Sequence, residues 1–144
     1  MRYREVIRMP IWLLALIYFF LLTLVLAIWA ALGDKAALAS LITTTVLLIL
    51  IAIKSAMVIE VDDDEIRVGK AHIKLKFLGE PQSLNSVQIR NLRTRDADPA
   101  AFLAIRFWAS KGVQVVLNDS RDPTPYWLIT SNNGEKLAKA LLLR

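Results

Sequence analysis

Residues 11–53, IWLLALIYFFLLTLVLAIWAALGDKAALASLITTTVLLILIAI, decide the architecture of this chain. The run from Ile11 to Leu32 has 22 residues and no charge, and Ala37 to Ile53 adds 17 more without one. As helices they reach roughly 33 Å and 26 Å, against a bilayer hydrocarbon core of about 30 Å. Lys54 can extend the shorter span by carrying its ammonium outward along its own apolar stem. Gly33, Asp34 and Lys35 are the only turn-like residues between the runs, so the helices are expected to be antiparallel neighbours. Trp12 and Trp29 fall near the two ends of the first span, where indole rings prefer the water–lipid interface.

A secretory signal peptide is the main competing reading. Arg2, Arg4 and Arg8 supply its basic start, and Ala37-Leu38-Ala39 resembles a cleavage site. The first apolar run is much longer than the roughly 7–15 residues of a signal core, however, and a second run follows. Burial as soluble core helices fits less well still, because no polar face interrupts Ile11–Leu22. Arg2, Arg4, Arg8 and Lys54 flank one side of the pair, and only Lys35 lies on the other. Positive residues stay inside, so the expected location is the cell (inner) membrane, with two spans and both termini cytoplasmic.

Within the hairpin, small residues recur every fourth position: Thr23, Ala27 and Ala31 in the first helix, and Ala36, Ser40 and Thr44 in the second. Folding about the loop sets Ala31 opposite Ala36, Ala27 opposite Ser40 and Thr23 opposite Thr44. That predicts a seam of small side chains with close backbone approach. No ionisable residue lies inside either span, which argues against an ion path. The hydroxyls of Thr43, Thr44 and Thr45 are expected to bond back to their own helix.

The rest of the chain explains how 56% hydrophobic residues and a mean hydropathy of +0.46 coexist with 22% charge. Thirteen of the 18 Lys/Arg and 11 of the 13 Asp/Glu lie in residues 56–144. The net charge of +5 is therefore dispersed; it is no nucleic-acid signature, and no nucleic-acid partner is expected. The expected domains are 1–55, an N-terminal segment with the hairpin (11–32, 37–53), and 56–144, a cytoplasmic domain. With no cysteine there is no thiolate chemistry, and a single histidine, His72, excludes a His-rich metal site.

After Lys54 the period becomes strand-like. Met57–Val61 and Ile66–Val68 flank the acidic turn Asp62-Asp63-Asp64, and Gly69-Lys70 marks a second turn. His72–Phe77 alternates strictly. Val87 and Ile89 flank Gln88 in another strand candidate, Leu103, Ile105 and Phe107 alternate with Ala104, Arg106 and Trp108, and Val113–Leu117 and Tyr126–Thr130 follow. Asn133 as N-cap, Glu135 in the first turn and a Leu137/Ala138/Leu141 face predict a closing helix. The expected fold class is thus a membrane α-helical hairpin plus an α+β, mostly-β domain. That domain is read as a pleckstrin-homology-like bent sheet or barrel of six to seven strands capped by a C-terminal helix.

No phosphate-binding glycine loop, nucleophile elbow or metal-ligand spacing is present, and Asp62–Glu65 lacks the alternation of an EF-hand. No catalytic residue, metal or cofactor is assigned. Two surfaces remain. Lys54, Lys70, His72, Lys74 and Lys76 form a basic stripe suited to anionic headgroups, each basic residue near a leaflet contributing about 1 kcal/mol. Arg95, Asp96, Arg106, Trp108, Arg121, Asp122, Tyr126 and Trp127 form a candidate binding rim of arginines and aromatics. Tyr126 and Trp127 point to opposite strand faces, which predicts that at least one is exposed.

The block Asp122-Pro123-Thr124-Pro125-Tyr126-Trp127-Leu128, with Arg95-Asp96-Ala97-Asp98-Pro99 upstream and Tyr3-Arg4-Glu5 and Pro10 at the start, carries a resemblance. Over nearly its whole length the chain resembles the actinobacterial membrane protein family catalogued as domain of unknown function 3093. Members typically continue with Ser-Thr-Arg and a proline opening the last helix; here Thr130-Ser131-Asn132 and Gly134 stand there, so no anion-binding role is carried to that corner. The resemblance implies a two-helix anchor in an actinobacterial cell membrane and no activity. The reading is a non-enzymatic, membrane-anchored interaction or scaffolding module with membrane lipids and a protein partner. The alternatives are an accessory subunit of a larger membrane complex, joined through the hairpin, and an enzyme acting on a lipid-linked substrate.

Overall fold

A computed structural model describes residues 2–143. The chain has two long apolar helices near its N-terminus, followed by sheets and a C-terminal helix. It divides into two compact units, a hairpin of residues 8–56 and a globular unit that joins residues 2–7 to residues 57–143.

In the hairpin, α1 (Ile11–Leu32) and α2 (Asp34–Lys54) are separated by Gly33 alone. Gly33 has φ 84° and ψ −172°, a backbone region essentially restricted to glycine, and its N–H donates to Trp29 O at 2.9 Å. The expected three-residue turn is thus compressed to one residue, because Asp34 and Lys35 already belong to α2. Asp34 in the first turn and Lys54 in the last complement the α2 dipole, and Trp29 Nε1 donates to Asp34 Oδ1 at 2.7 Å. Thr43, Thr44 and Thr45 donate to carbonyls within α2, at Ala39, Ser40 and Leu41.

The seam differs from its expected form. The buried positions are Leu13 and Val25 in α1 and Thr44 in α2, and Tyr18 Oη and Thr45 Oγ1 share a cross-helix hydrogen bond of 3.1 Å. Ala36 and Ser40 are partly covered, but Thr23, Ala27 and Ala31 face away from α2. Large side chains of α1 therefore meet the small face of α2. The physical reason is that α1 is apolar all round, so no stripe is reserved for its partner.

The globular unit begins upstream of the hairpin, which corrects the expected boundary at residue 55. Tyr3–Ile7 forms strand β1 and pairs antiparallel with β2 (Met57–Val61), from Tyr3↔Val61 to Ile7↔Met57. The hairpin is thus an insertion between two adjacent strands. β3 (Glu65–Val68) and β4 (Ala71–Lys74) complete a four-stranded antiparallel sheet. The second sheet has the order β5-β7-β8-β6, from β5 (Leu78–Leu84), β6 (Phe102–Ala104), β7 (Gly112–Leu117) and β8 (Tyr126–Thr130). β6 runs parallel to β8, so this sheet is mixed. Strand alternation delivers Ile7, Ile59, Val61, Ile66, Val113, Val115 and Ile129 to one core shared by both sheets. Leu137 and Leu141 of α4 (Gly134–Leu142) fill the same core, each at 1% exposure or less. Fully burying each such side chain contributes roughly 1.5–3 kcal/mol.

Three strand readings change. Val87 and Ile89 lie in α3 (Ser86–Arg93), whose start is a capping box: Gln88 N donates to Asn85 Oδ1 and Asn85 N to Gln88 Oε1, both at 2.9 Å. Ile89 and Leu92 of this helix cover Leu84 and Leu128 on the outer face of the second sheet. The alternating run His72–Phe77 stops at Lys74, which pairs with Glu65, the first residue of β3, so a longer strand would have no partner. Leu75–Phe77 instead make a 3-10 turn that leads to the second sheet, with Leu75 N donating to Asp64 O at 2.8 Å. β6 ends at Ala104, before Ile105 and Phe107, and Arg106 N donates to Thr130 Oγ1 at 2.9 Å.

Candidate functional site

The 3-10 turn and the β7–β8 connection meet across a cleft of ≈ 420 Å³. His72, Lys74 and Lys76 line one wall, Asp119, Arg121 and Asp122 the other, with Phe77 and Trp127 below. The β7–β8 connection is held at both ends. Leu117 N donates to Pro125 O at 3.0 Å, closing the loop, and Asn118 N donates to Phe77 O at 2.7 Å, fixing it to the turn opposite. Inside the loop, each aspartate folds onto the backbone two residues on. Arg121 N donates to Asp119 Oδ1 at 3.0 Å, and Thr124 N to Asp122 Oδ1 at 2.9 Å. The Asp122 carboxyl is held below its ordinary pKa by the side-chain and backbone hydrogen bonds of Thr124.

These bonds occupy the two acids and leave the cations presented. Arg121 Nε is 3.6 Å from Asp119 Oδ1, a loose contact between an exposed arginine and a largely covered aspartate, and its guanidinium carbon lies 6.0 Å from the Phe77 ring centroid. Lys76 Nζ lies 4.8 Å from the same centroid. One aromatic ring thus supports two cations from two different elements, an arrangement whose attraction reaches about 0.5–1 kcal/mol each at exposed sites. On the far side of Lys74 and Lys76 a second depression brings in Asp63 and Asp64, of which Asp63 accepts from Arg2 Nε at 2.8 Å.

The cleft joins parts of both expected surfaces and leaves the others elsewhere. From the basic stripe it takes His72, Lys74 and Lys76. Lys70 sits exposed in the β3–β4 turn, and Lys54 ends α2 in the hairpin unit. From the rim it takes Arg121, Asp122 and Trp127. Arg95 and Asp96 pair with each other at 3.8 Å beyond α3. Arg106 Nη1 donates to Ile105 O at 3.2 Å, and Trp108 packs on the main core with its indole N–H enclosed. The expected exposed aromatic is not there. Trp127 is 6% exposed, with its ring centroid 4.4 Å from that of Phe102, and Tyr126 is half-buried against Leu84, Ile89 and Leu128. Both faces of β8 are covered, one by the core and one by α3, so alternation exposes neither residue. Among the described residues, no three His, Asp or Glu side chains gather as a metal site.

Sequence reading also missed a polar network on the core face of β1. Glu5 lies between Tyr3 and Ile7 on that face. Its Oε2 accepts from Tyr3 Oη at 2.7 Å and from Ser131 Oγ at 2.5 Å, and its Oε1 accepts from Asn132 N at 2.8 Å. Ser131 Oγ in turn accepts from Asn133 N at 3.0 Å, the N-cap residue of α4. Burial, together with the hydrogen bond to Glu5, pushes the Tyr3 hydroxyl up to about 12. The signal available was a carboxylate in register with two apolar residues of a strand.

The family model described as protein of unknown function (DUF3093) matches residues 2–141. The chain belongs to this family. In this DUF3093 member, Glu5, near one end of the matched region, accepts from Ser131 Oγ and Asn132 N near the other. No curated protein matches the chain, and no solved structure matches it.

Proposed function

We propose that this DUF3093 chain is a non-enzymatic, membrane-anchored binding module, with its globular unit held at the cytoplasmic face of the cell membrane and presenting the basic cleft. The observation that carries the reading is the insertion of a two-helix apolar hairpin between paired strands β1 and β2. Most of the apolar surface of α1 and α2 is uncovered by the rest of the chain, which supports a lipid-facing hairpin over a soluble core. Side chains such as Phe19, Phe20 and Ile42 stay more than half exposed, which favours an apolar surrounding. The β1–β2 pairing also speaks against a cleaved signal, because scission at Ala37-Leu38-Ala39 would remove a strand of the sheet. The same pairing brings both flanks of the hairpin to one sheet end, which supports an even number of spans. The positions of Arg8 and Lys54 against Lys35 support a cytoplasmic globular unit. The family resemblance supports an actinobacterial setting. Two sheets sharing one core with a C-terminal helix support a pleckstrin-homology-like architecture, from which the parallel β6–β8 pair departs.

Alkaline carbonate washing of membranes tests the anchor. The full chain should stay in the pellet, and release into the supernatant would sink the proposal. A second reading, accessory subunit of a larger membrane complex, draws on one observation: Thr23, Ala27 and Ala31 form an exposed small-residue stripe on α1 that α2 leaves uncovered. Replacing Ala27 by Leu would then remove a co-purifying membrane partner.

A further inference from the structure

We propose that the cleft between the 3-10 turn and the β7–β8 loop is a binding site for a phosphate-bearing anion. Lys74, Lys76 and Arg121 bring three positive charges to a cleft of ≈ 420 Å³, together with His72. Asp119 and Asp122 in its wall offset two of these charges, leaving an excess of one, and each turns an oxygen to a loop backbone N–H, of Arg121 and Thr124 respectively. Among the described residues, Lys74 and Lys76 have no carboxylate within ion-pair distance, and Arg121 has only the loose contact with Asp119. With 81% of its side chain exposed, Arg121 can turn its planar fork toward a ligand at the loss of only its loose contacts with Asp119 and the Phe77 ring. A phosphate monoester carries close to two negative charges and three acceptor oxygens, which suits a guanidinium fork plus two ammonium groups.

The placement is built rather than incidental. Lys76 and Arg121 come from segments 45 positions apart in sequence and are held to one ring, Phe77. Phe77 O anchors the loop carrying Arg121 through Asn118 N. A lone surface lysine stripe has neither the ring nor the opposing wall. The ligand has two sources with one chemistry: free phosphate or a phosphate ester, and the phosphomonoester headgroup of a lipid such as phosphatidic acid. The site itself stands on the globular unit and does not depend on the hairpin crossing a bilayer.

The test uses the full chain in a zwitterionic detergent. Native mass spectrometry reads retention of added phosphatidic acid against phosphatidylcholine, and the Arg121 Nε–H NMR signal reads binding of inorganic phosphate. The expected result is preference for phosphatidic acid, competition by inorganic phosphate, and at least about tenfold weaker binding in the Lys76→Gln/Arg121→Gln double variant. Asp119→Asn, which removes the acid competing for Arg121, should tighten binding. Lys111→Gln/Lys136→Gln, in a different cleft beside α4, should leave it unchanged. Shifts with inorganic phosphate but no lipid preference would assign the site to a free ester, and lipid retention lost in the double variant without a phosphate shift would assign it to the headgroup. Equal binding by the double variant and the unaltered chain, or no binding of either probe, would overturn the proposal. If phosphate binds but carbonate releases the protein, the anchor reading fails and the cleft stands.

Discussion

Glu5 and Ser131, 126 positions apart in sequence, share a 2.5 Å hydrogen bond that ties the first strand to the chain two residues before the α4 cap. Ser131 is completely buried, and Asn132 N donates to the same carboxylate. Replacing Glu5 by Ala removes the acceptor for the Tyr3 and Ser131 hydroxyls and for one backbone N–H. The expected cost is about 2–4 kcal/mol, dominated by the enclosed donors left without a partner. Chemical unfolding in detergent should show a lower midpoint with an unchanged slope.

Tyr3 makes the same network sensitive to alkali. Its hydroxyl is pushed up to about 12 in the fold, against an ordinary value near 10. The unfolded chain therefore loses this proton first. The contribution of Tyr3 is complete below about pH 10 and is lost as pH rises toward 12. Tyr3→Phe should lower stability at pH 8 by about 1 kcal/mol and flatten the decline between pH 10 and 12. An identical alkaline decline in the variant would show that Tyr3 is not its source.

The hairpin seam separates two substitutions that look alike in sequence. Thr44 is 7% exposed between the helices, whereas Ala27 faces outward. Thr44→Leu should destabilise the hairpin by about 1–3 kcal/mol through overpacking, and Ala27→Leu should stay within about 0.5 kcal/mol. Helix unfolding in mixed micelles, followed by circular dichroism, distinguishes them.

Because Ile7 pairs with Met57, the hairpin should be removable. Replacing residues 8–56 by an Asn-Gly turn converts β1–β2 into an ordinary β-hairpin. The product is expected to be water-soluble and to unfold in one cooperative thermal transition. A molten or aggregated product would contradict the independence of the globular unit.

The apolar runs, the acidic and Gly-Lys turns and the last helix were legible because each rests on local pattern. Met57, Ile59 and Val61 alternate inward as their spacing predicts. What local pattern cannot carry is pairing across distance. Nothing near Tyr3–Ile7 indicates a partner that follows two helices, so local pattern alone assigns β1 to the anchor segment. Helix α3 was missed for a different reason. Val87 and Ile89 suit a strand at period two, while the decisive signal, Asn85 with Gln88 three residues later, is a cap. The cleft was half legible: the basic face of β4 and the Asp/Arg/Pro loop both stood out, but only the 3-10 turn at Leu75–Phe77 brings them together.

The central claim is a binding module held by a hairpin that crosses the membrane twice, with both flanks on one side. The chain has no cysteine, so single cysteines report position without background. In intact cells, a membrane-impermeant maleimide should label Lys35→Cys, in the interhelical corner, and should leave Lys136→Cys, on α4, unlabelled until the cells are lysed. Labelling of Lys136→Cys in intact cells, or protection of Lys35→Cys, would contradict the account.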